Sequence, residues 1–393
     1  MAKYLNKTAI VKGDSTLVFQ LNAEANERIK NNEKVINATV GSMLNKDGTL
    51  TAFSYFNECL NKVNLDETKR YAPLDGGQEF NSNIQKWILS DLENSIKNKY
   101  KVASVCTMGG TGAIALAFNN YAENHILLPD IGWSNYELIA ENAHKSVGYY
   151  PLFNKEGDFN IAGLLSCIAT EAKYANKVTV VINDPAHNPT GYSLSKDEWK
   201  ILIDQINYLN KACPIVIILD VAYIDFAKEN RNFFEAINEV KMEFLTLVCV
   251  SLSKTLGIYG LRTGALMYVG EADEVEEFVN SSKLYIRATW SNPNHIAIDA
   301  FNLLMKNEDE IKNLNLFLKE QCELLHSRAN YVLKNLSNEL GEALSYRDGF
   351  FITYKKDNAN DFALKLKEKN IFVLPLKNKF LRFAVCSFIN EDK

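Results

Sequence analysis

Short apolar runs alternate with amphipathic stretches through the middle of the chain. The runs are HILLPD, VTVVIND, CPIVIILDVAY and FLTLVCVSLSK. They are rich in β-branched residues, end at turn residues and show no alternation of apolar and polar positions. Such continuous runs are typical of parallel strands that are buried on both faces. The pattern therefore predicts a sheet whose two sides are both covered.

The segments between these runs have the helical period. Three examples are TGAIALAFNNYAEN, SNYELIAENA and SKDEWKILIDQINYLNKA. The last begins with the pattern of a capping box, in which Ser195 is followed three positions later by Glu198. Regular alternation of strands and helices predicts an α/β fold with a mainly parallel, doubly wound sheet.

The pattern changes in the last quarter of the chain. A long charged helix, NEDEIKNLNLFLKEQCELLHSRANYVLKNL, is followed by two short strand-like runs, GFFITY and FLRFAVCSF. The N-terminal segment, helical and then VINATVG, is expected to pack with this part. We therefore predict a large domain at 51–305 and a smaller, discontinuous α+β domain formed by 1–50 and 306–393.

Composition narrows the class of protein. The chain has 393 residues, of which 47% are hydrophobic, and its net charge of -5 argues against nucleic acid as a partner. The seven cysteines are scattered singly, which favours reduced thiols and no metal site. We see neither a signal-peptide pattern nor an apolar run of membrane-spanning length. The expectation is a cytoplasmic protein that binds small molecules and no membrane.

Ligands of doubly wound sheets bind beyond the carboxyl ends of the strands. After KVASVCTM comes GGTGAIALAF, a glycine-rich turn that opens a helix at about Thr111 and offers free N–H groups to a phosphate. A tight turn without a ligand is an equally good interpretation. After VTVVIND comes PAHNPTG, whose prolines and glycine would project Asn188 rigidly, although a merely rigid turn explains the segment as well.

Two charged residues follow the next two strands. Asp220 ends CPIVIILD, with Tyr223 close behind, and a buried carboxylate there needs a cationic partner unless it caps a helix. Lys254 lies in SLSKTLGIYGLRTG, where burial would lower its pKa and make it a nucleophilic amine. A lysine that extends to the surface is the alternative. Ser251 and Arg262 flank it with groups that suit a phosphate.

Taken together, these groups imply one ligand. It carries a phosphate for the helix N-terminus, the serine and the arginine, and a carbonyl for Lys254. It also carries a basic nitrogen and a phenolate-like oxygen for Asp220, Asn188 and Tyr223. Pyridoxal 5′-phosphate has all of these groups, and a lysine Schiff base with an aspartate partner is the mark of this cofactor.

At this point the motifs resemble a known family. AHNPTG, DVAY and SLSKTLGIYGLRTG, in this order, are similar to those of class I aminotransferases of pyridoxal-phosphate fold type I, in the aspartate and aromatic amino acid branch. The resemblance extends from VINATVG to RFAVCSF. It implies that Lys254 forms the Schiff base and moves the substrate proton, and that Asp220 keeps the pyridine nitrogen protonated. It also implies that Asn188 and Tyr223 bind the ring oxygen.

The resemblance implies roles for the phosphate and ring contacts too. The phosphate ligands would be Ser251, Arg262, Gly110 and Thr111. Trp133 in GWSNYELI would stack on the ring, unless it is an ordinary core tryptophan. Tyr71 in RYAPLDGG matches a tyrosine that reaches the phosphate of the neighbouring subunit, which implies a homodimer with shared active sites.

For the substrate, the resemblance points to two arginines. Arg382 in LRFAVC would bind the α-carboxylate bidentately. Asn188 and Trp133 would also contact the substrate, and Gly41 in ATVG lies on a loop expected to pass beside it. Arg287 in LYIRATWSNPN would come from the partner subunit and bind a distal carboxylate. The alternatives for Arg287 are a surface arginine and one that swings aside for aromatic substrates.

Two features depart from the family. Gly109 stands where relatives usually have a serine in the phosphate turn, so one hydroxyl ligand is missing. Relatives also usually carry a further helix after the segment that ends here in INEDK. This leaves the closure of the small domain over substrate open.

The functional hypothesis is an aminotransferase that moves an amino group between an L-amino acid, aspartate or glutamate, and a 2-oxo acid by a ping-pong mechanism. The alternatives are an aromatic amino acid aminotransferase and a lyase or decarboxylase on the same fold. A non-catalytic regulator would need an added DNA-binding domain, for which the N-terminus has neither length nor basic charge. A degenerate interaction protein is disfavoured by the complete set of motif residues.

Overall fold

The structure, a computed structural model, describes Tyr4 and residues 17–388. Its strands are β1 (Ile36–Ala38), β2 (Lys101–Met108), β3 (His125–Pro129), β4 (Ser146–Tyr150), β5 (Val178–Asn183), β6 (Ile215–Asp220), β7 (Leu245–Ser251), β8 (Thr263–Gly270), β9 (Glu342–Ala343), β10 (Phe351–Lys355), β11 (Ile371–Leu376) and β12 (Phe380–Ala384). They form two sheets, one from the middle of the chain and one from its two ends.

The helices lie between these strands. They are α1 (Leu17–Lys30), α2 (Ser54–Lys62), α3 (Leu65–Thr68), α4 (Gln78–Leu89), α5 (Glu93–Lys99), α6 (Gly109–Tyr121), α7 (Asn135–Asn142), α8 (Ile161–Glu171), α9 (Lys196–Asn210), α10 (Asn232–Glu239), α11 (Leu252–Thr255), α12 (Val275–Thr289), α13 (His295–Met305), α14 (Glu308–Asn335), α15 (Ser337–Leu340) and α16 (Ala359–Glu368). Single 3-10 turns lie at Ser90–Leu92, Ile224–Phe226 and Val385–Ser387.

The larger sheet has the strand order β2-β8-β7-β6-β5-β3-β4. Its neighbours from β7 through β4 run parallel, and only β8 is antiparallel to both strands beside it. The four apolar runs of the sequence are β3, β5, β6 and β7, so the prediction of a mainly parallel sheet is confirmed. Every residue of β5 and β6 is buried, as a strand covered on both faces requires.

Helices pack on both faces of this sheet, and successive residues of one strand face opposite helix layers. In β6, Val216 and Ile218 face a cluster that includes Ile114 of α6 and Phe278 of α12. Ile217 and its alternate neighbours face the other cluster, with α4, α9 and α10. Burial on both sides fixes the register at the strand ends, where Asn183 of β5 pairs with Asp220 of β6.

The smaller sheet joins the two ends of the chain in the order β1-β11-β12-β10-β9. Ile36 of β1 pairs in parallel with Ile371 of β11, so the N-terminal segment does add a strand to the C-terminal part. The two predicted runs are β10 and β12. The sequence pattern missed β11, whose IFVLPL contains Pro375, and the very short β1 and β9. The domain boundaries at 50/51 and 305/306 stay a prediction.

Local predictions can be checked at single residues. The capping box of α9 is formed, because Ser195 Oγ accepts from the backbone N–H of Glu198 while the Glu198 carboxylate accepts from the N–H of Ser195. Helix α6 begins at Gly109 and not at Thr111. All seven cysteines are free. Within residues 17–388, no helix is long and apolar enough to cross a membrane.

Candidate active site

A cavity of about 390 Å³ lies beyond the ends of β5, β6 and β7, at the boundary with the smaller sheet. Most of the residues predicted for the site line it: Gly41, Gly110, Thr111, Trp133, Asn188, Asp220, Tyr223, Ser251, Lys254, Arg262 and Arg382. Two predicted residues, Tyr71 and Arg287, do not. The sheet register therefore brings residues that are far apart in sequence to one place.

Lys254 lies in the short helix α11, directly after β7. The pKa of its amine is lowered to about 8, mainly by burial and to a smaller extent by the Arg262 guanidinium, while Cys386 and Asp220 oppose the shift. Its Nζ lies 4.6 Å from the ring centroid of Tyr259 and 5.9 Å from that of Tyr223. A large share of these amines is thus neutral near pH 8, the form in which a lysine is a nucleophile and a base.

Asp220 ends β6 and is buried. The Tyr136 hydroxyl donates to its Oδ2 at 2.6 Å, and the backbone N–H of Ala222 donates to Oδ1 at 3.0 Å. Burial raises the pKa of Asp220 above its ordinary value, while these two hydrogen bonds and the charge of Lys254 oppose the rise. The carboxylate therefore lacks a full counter-charge, and a cationic nitrogen in the cavity would supply it.

The turn after β5 orders the polar wall between these two groups. Asn183 Nδ2 donates to the backbone oxygen of Asp220 at 2.8 Å, and the N–H of Asn188 donates to Asn183 Oδ1 at 2.7 Å. Asn188 Nδ2 lies 3.5 Å from the Tyr223 hydroxyl. Burial raises the pKa of Tyr223, so its phenol stays protonated and can donate. Asn183 fixes this wall and was missed by the sequence analysis.

The opposite end of the cavity suits an anion. Helix α6 begins there with Gly109, Gly110 and Thr111, next to Ser251 and Arg262. Gly109 has a φ of +67°, and a Cβ on it would lie 2.7 Å from Arg262 Nη2. A serine at this position would be strained and would displace the guanidinium. Gly109 thus leaves the space that the Arg262 guanidinium occupies in this chain.

Arg382 reaches the cavity from β12 of the smaller sheet. Its Nη2 donates to the oxygen of Thr39 at 2.5 Å, and Nη1 lies 3.4 Å from Asn188 Oδ1. Its buried Nε has no hydrogen-bond partner among the described residues. Burial lowers the pKa of the guanidinium to about 10. A buried cation that lines a cavity and lacks an anionic partner among the described residues can bind a carboxylate.

Tyr71 and Arg287 are both exposed, and the two segments that carry them are in contact. Tyr71 is 80% exposed, and Arg287 Nη1 donates to Ser291 Oγ at 2.7 Å. Asn292 joins the two segments, because its Nδ2 donates to the oxygen of Ala72 at 2.6 Å and its Oδ1 accepts the N–H of Ala72 at 2.8 Å. The segments that carry the two predicted residues outside the cavity are therefore held against each other.

Several lining residues carried no signal that was used in the sequence. The Phe351 ring lies 4.4 Å from the Arg382 guanidinium, and a Cβ on Gly41 would come within 2.6 Å of that ring. Val18 and Phe19 of α1 add an apolar edge to the cavity. The need for a buried donor beside Asp220 could have been foreseen, because a carboxylate at the end of a buried strand requires one, but no sequence feature marks Tyr136 as that donor.

Comparison with known proteins identifies the relatives of the chain. The sequence model of "Aminotransferase class I and II" matches residues 33–392. A tyrosine aminotransferase of Klebsiella pneumoniae is 27% identical over 269 residues, and an aspartate aminotransferase of Pseudomonas aeruginosa is 28% identical over 266. Each match covers 66% of this chain and 65% of the relative, slightly under two thirds of the relative's length.

A solved structure agrees over a longer stretch. A crystal structure of an aminotransferase from Anaerococcus prevotii superposes with a TM-score of 0.89 at 27% identity, over 98% of this chain and 96% of the other. Pyridoxal 5′-phosphate is the cofactor of these enzymes, and the groups of the cavity fit it. An anion site lies at one end, a carboxylate and a phenol lie at the other, and an amine of lowered pKa joins them. The chain belongs to the class I and II aminotransferase family.

Proposed function

We propose that this protein is an aminotransferase that moves an amino group between L-aspartate or L-glutamate and a 2-oxo acid by a ping-pong mechanism. The observation that carries this proposal is the presence of Arg382, a buried guanidinium without a carboxylate partner among the described residues, in the same cavity as Lys254. A lysine alone would suit many reactions of this cofactor. A lysine that shares a cavity with a carboxylate-binding arginine suits an α-amino acid.

Different residues of the cavity would bind different groups of the cofactor. Arg262, Ser251 and the N-terminus of α6 would bind the phosphate through charge, hydroxyl and N–H groups. Trp133 would stack on one face of the ring. When bound, pyridoxal phosphate supplies an electron sink that makes the α-proton of an amino acid acidic. The Asp220 carboxylate, oriented by Tyr136, would hold a proton on the pyridine nitrogen and so strengthen that sink.

Lys254 has two tasks in the proposed reaction. Its Nζ would bind the aldehyde of the cofactor until an amino acid displaces it. The freed, neutral amine would then take the α-proton, which requires the low pKa that burial produces. Asn188 and Tyr223 would donate to the ring oxygen and so help to orient the ring. Arg382 would hold the α-carboxylate, and Phe351 would limit its freedom to move.

The two exposed residues support a homodimer with shared sites. Tyr71 and Arg287 do not line the cavity of their own chain; both lie on the surface, in segments that Asn292 connects. We infer that a second copy of the chain receives this surface. Tyr71 would then bind the phosphate in the partner's site, and Arg287 would bind the distal carboxylate of a dicarboxylic substrate there.

An aromatic amino acid is the second candidate substrate. The apolar edge formed by Val18 and Phe19 favours it, because an aromatic side chain would bury those groups. The Klebsiella relative is a tyrosine aminotransferase. The presence of Arg287 favours the dicarboxylic substrate, because a cation at the distal position would have no carboxylate to bind in tyrosine.

The test is the visible absorbance of the cofactor-loaded protein after addition of L-aspartate or L-tyrosine. Loss of the absorbance band with aspartate, and its return with 2-oxoglutarate, is the expected result. Loss with tyrosine alone would move the substrate to the aromatic class. No change with either amino acid, despite bound cofactor, would contradict the proposed substrates and put lyase chemistry ahead.

A further inference from the structure

Asp225 is a buried carboxylate close to the active site that does not line the cavity. Its Oδ2 accepts the Thr255 hydroxyl at 2.7 Å and the Trp87 indole N–H at 3.2 Å. Its Oδ1 lies 3.5 Å from Arg231 Nη2, and the same Nη2 donates to the oxygen of Trp87 at 3.1 Å. Asp225 is thus the centre of a polar network inside an otherwise apolar core.

The network connects two loops that carry the chemistry. Asp225 lies in the 3-10 turn Ile224–Phe226, two residues after Tyr223, and the N–H of Phe226 donates to the oxygen of Tyr223 at 2.9 Å. Thr255 directly follows Lys254 in α11. The hydrogen bond from Thr255 to Asp225 therefore joins the loop of Tyr223 to the turn of Lys254, although neither bonded side chain enters the cavity.

Burial makes this bond more directional than one in water. Asp225 and Thr255 are 6% and 4% exposed, so water does not replace a lost partner readily. Arg231 supplies the nearby positive charge, and burial lowers the pKa of that guanidinium while Asp225 opposes the shift. The charge stabilises the carboxylate from one side, and the Thr255 hydroxyl fixes its direction from the other.

We propose that Asp225 is a positioning residue that acts through Thr255. It holds the Lys254 backbone so that Nζ lies at a fixed place relative to the Tyr223 hydroxyl. The proposal rests on the aminotransferase function proposed above, in which Lys254 must reach both an aldehyde and an α-proton. A displacement of a catalytic group by about 1 Å can reduce a rate by about 100-fold, whereas binding of substrate by Arg382 would be unchanged.

The experiment compares Thr255→Val with Thr255→Ser in the full-length, cofactor-loaded protein. Valine keeps the shape and removes the donor, and serine keeps the donor. We expect Thr255→Val to lower kcat by about 10- to 100-fold and to change KM by less than about twofold. Thr255→Ser restores kcat to within about threefold of the wild type, because the hydroxyl can again reach Asp225.

A second readout needs no turnover. The rate at which the apoprotein captures pyridoxal phosphate, followed by absorbance, should fall for Thr255→Val and recover for Thr255→Ser, because Nζ of Lys254 performs the capture. Thr246→Val is the matched control. Thr246 is also fully buried, in β7, and its hydroxyl contacts only Met242 Sδ at 3.2 Å among the described residues. This variant should lower the melting temperature and leave capture and kcat unchanged.

The outcomes separate the two proposals. If Thr255→Val loses stability as Thr246→Val does, with kcat and capture unchanged, Asp225 has only a structural role and the inference is overturned. A rise in KM at constant kcat would overturn it too. A wild-type protein that captures the cofactor but transfers no amino group would contradict the proposed function alone, because the capture rates would still test Asp225.

Discussion

Two arginines that are expected to bind the two carboxylates of one substrate lie in opposite surroundings. Arg382 is 7% exposed, contacts Thr39, Asn188 and Phe351, and has a buried Nε without a hydrogen-bond partner among the described residues. Arg287 is exposed at the end of α12 and bonds only to Ser291 among the described residues. The surroundings of Arg382 can be explained from one chain alone, whereas those of Arg287 cannot.

The difference shows what a single chain can reveal about a shared site. Burying a guanidinium without an ion partner costs free energy, so the surroundings of Arg382 already indicate a ligand. An exposed arginine does not incur this free-energy cost, so its surroundings are compatible with any role. Lys254 resembles Arg382, because it is buried in the cavity of its own chain, and Tyr71 resembles Arg287, because it is exposed. The experiments below test whether this division is correct.

The largest effect is expected at Lys254, one of the residues that line the cavity of their own chain. Lys254→Ala removes both the group that binds the aldehyde and the base that takes the α-proton, so kcat should fall by at least about 10⁴-fold. Single-turnover absorbance with L-aspartate measures it. The exposed Lys155→Ala should react at the wild-type rate. Retention of more than a few per cent of activity in Lys254→Ala would remove lysine from the mechanism.

Arg382→Lys should have the next largest effect. Lysine keeps the charge but cannot bind a carboxylate bidentately, and disturbing a buried charge pair costs about 2–5 kcal/mol, so kcat/KM should fall by about 30- to 4000-fold for every amino acid. The control is Arg328→Lys, a buried arginine that donates to the backbone oxygens of Cys386 and Leu44. That change should reduce stability and leave KM unaltered.

Arg287→Leu tests the exposed side of the comparison. If Arg287 binds a distal carboxylate, kcat/KM should fall by about 10- to 150-fold for aspartate, the value of a hydrogen bond to a charged group, and should not fall for tyrosine. Steady-state kinetics with both substrates provide the measurement. Equal effects on both amino acids would show that Arg287 does not read the substrate side chain.

Mixing two impaired variants then asks in which chain Arg287 acts. In a hybrid of Lys254→Ala and Arg287→Leu chains, shared sites would leave one site with both residues intact. Random exchange of subunits should therefore restore about a quarter of the wild-type activity toward aspartate. Activity no higher than the average of the two parents would place Arg287 in its own chain's site, or outside the reaction.

The smallest effect is a dependence on pH. Because burial lowers the pKa of Lys254 to about 8, the neutral amine predominates above that pH and its fraction falls about tenfold per pH unit below it. Capture of pyridoxal phosphate by the apoprotein should rise with pH and level off above about 8. A rise that continues beyond pH 10 would mean that Lys254 is solvated as an ordinary lysine.

Much of the fold could be predicted because each buried strand has a pattern of its own. The runs that became β5, β6 and β7 are continuous and apolar, and the residues that follow them, Asn188, Asp220 and Lys254, stand out by polarity. Strand β11 was missed because its pairing with β1 depends on a distant segment, and its Pro375 is atypical of a strand. The local sequence pattern predicts the longer elements, whereas the formation of the short strands depends on pairing with distant segments.

Within the candidate site, side chains that act through a neighbour were the ones missed. Tyr136 reads as one more aromatic residue of an amphipathic helix, and only the fold brings its hydroxyl to Asp220. Phe351 likewise reads as core, although it lies against Arg382. Asp225 has no motif around it that marks it, since its partners Trp87 and Thr255 come from other parts of the chain.

The pairing of Ile36–Ala38 with the strand near residue 371 also has a consequence for biosynthesis. All strands of the larger sheet lie between residues 101 and 270, so that sheet can form while the ribosome is still translating the rest. Strand β1 leaves the ribosome early and then has no partner until β11 emerges. The smaller sheet, which carries Arg382, is therefore completed last, and its early strand has an unpaired edge during most of synthesis.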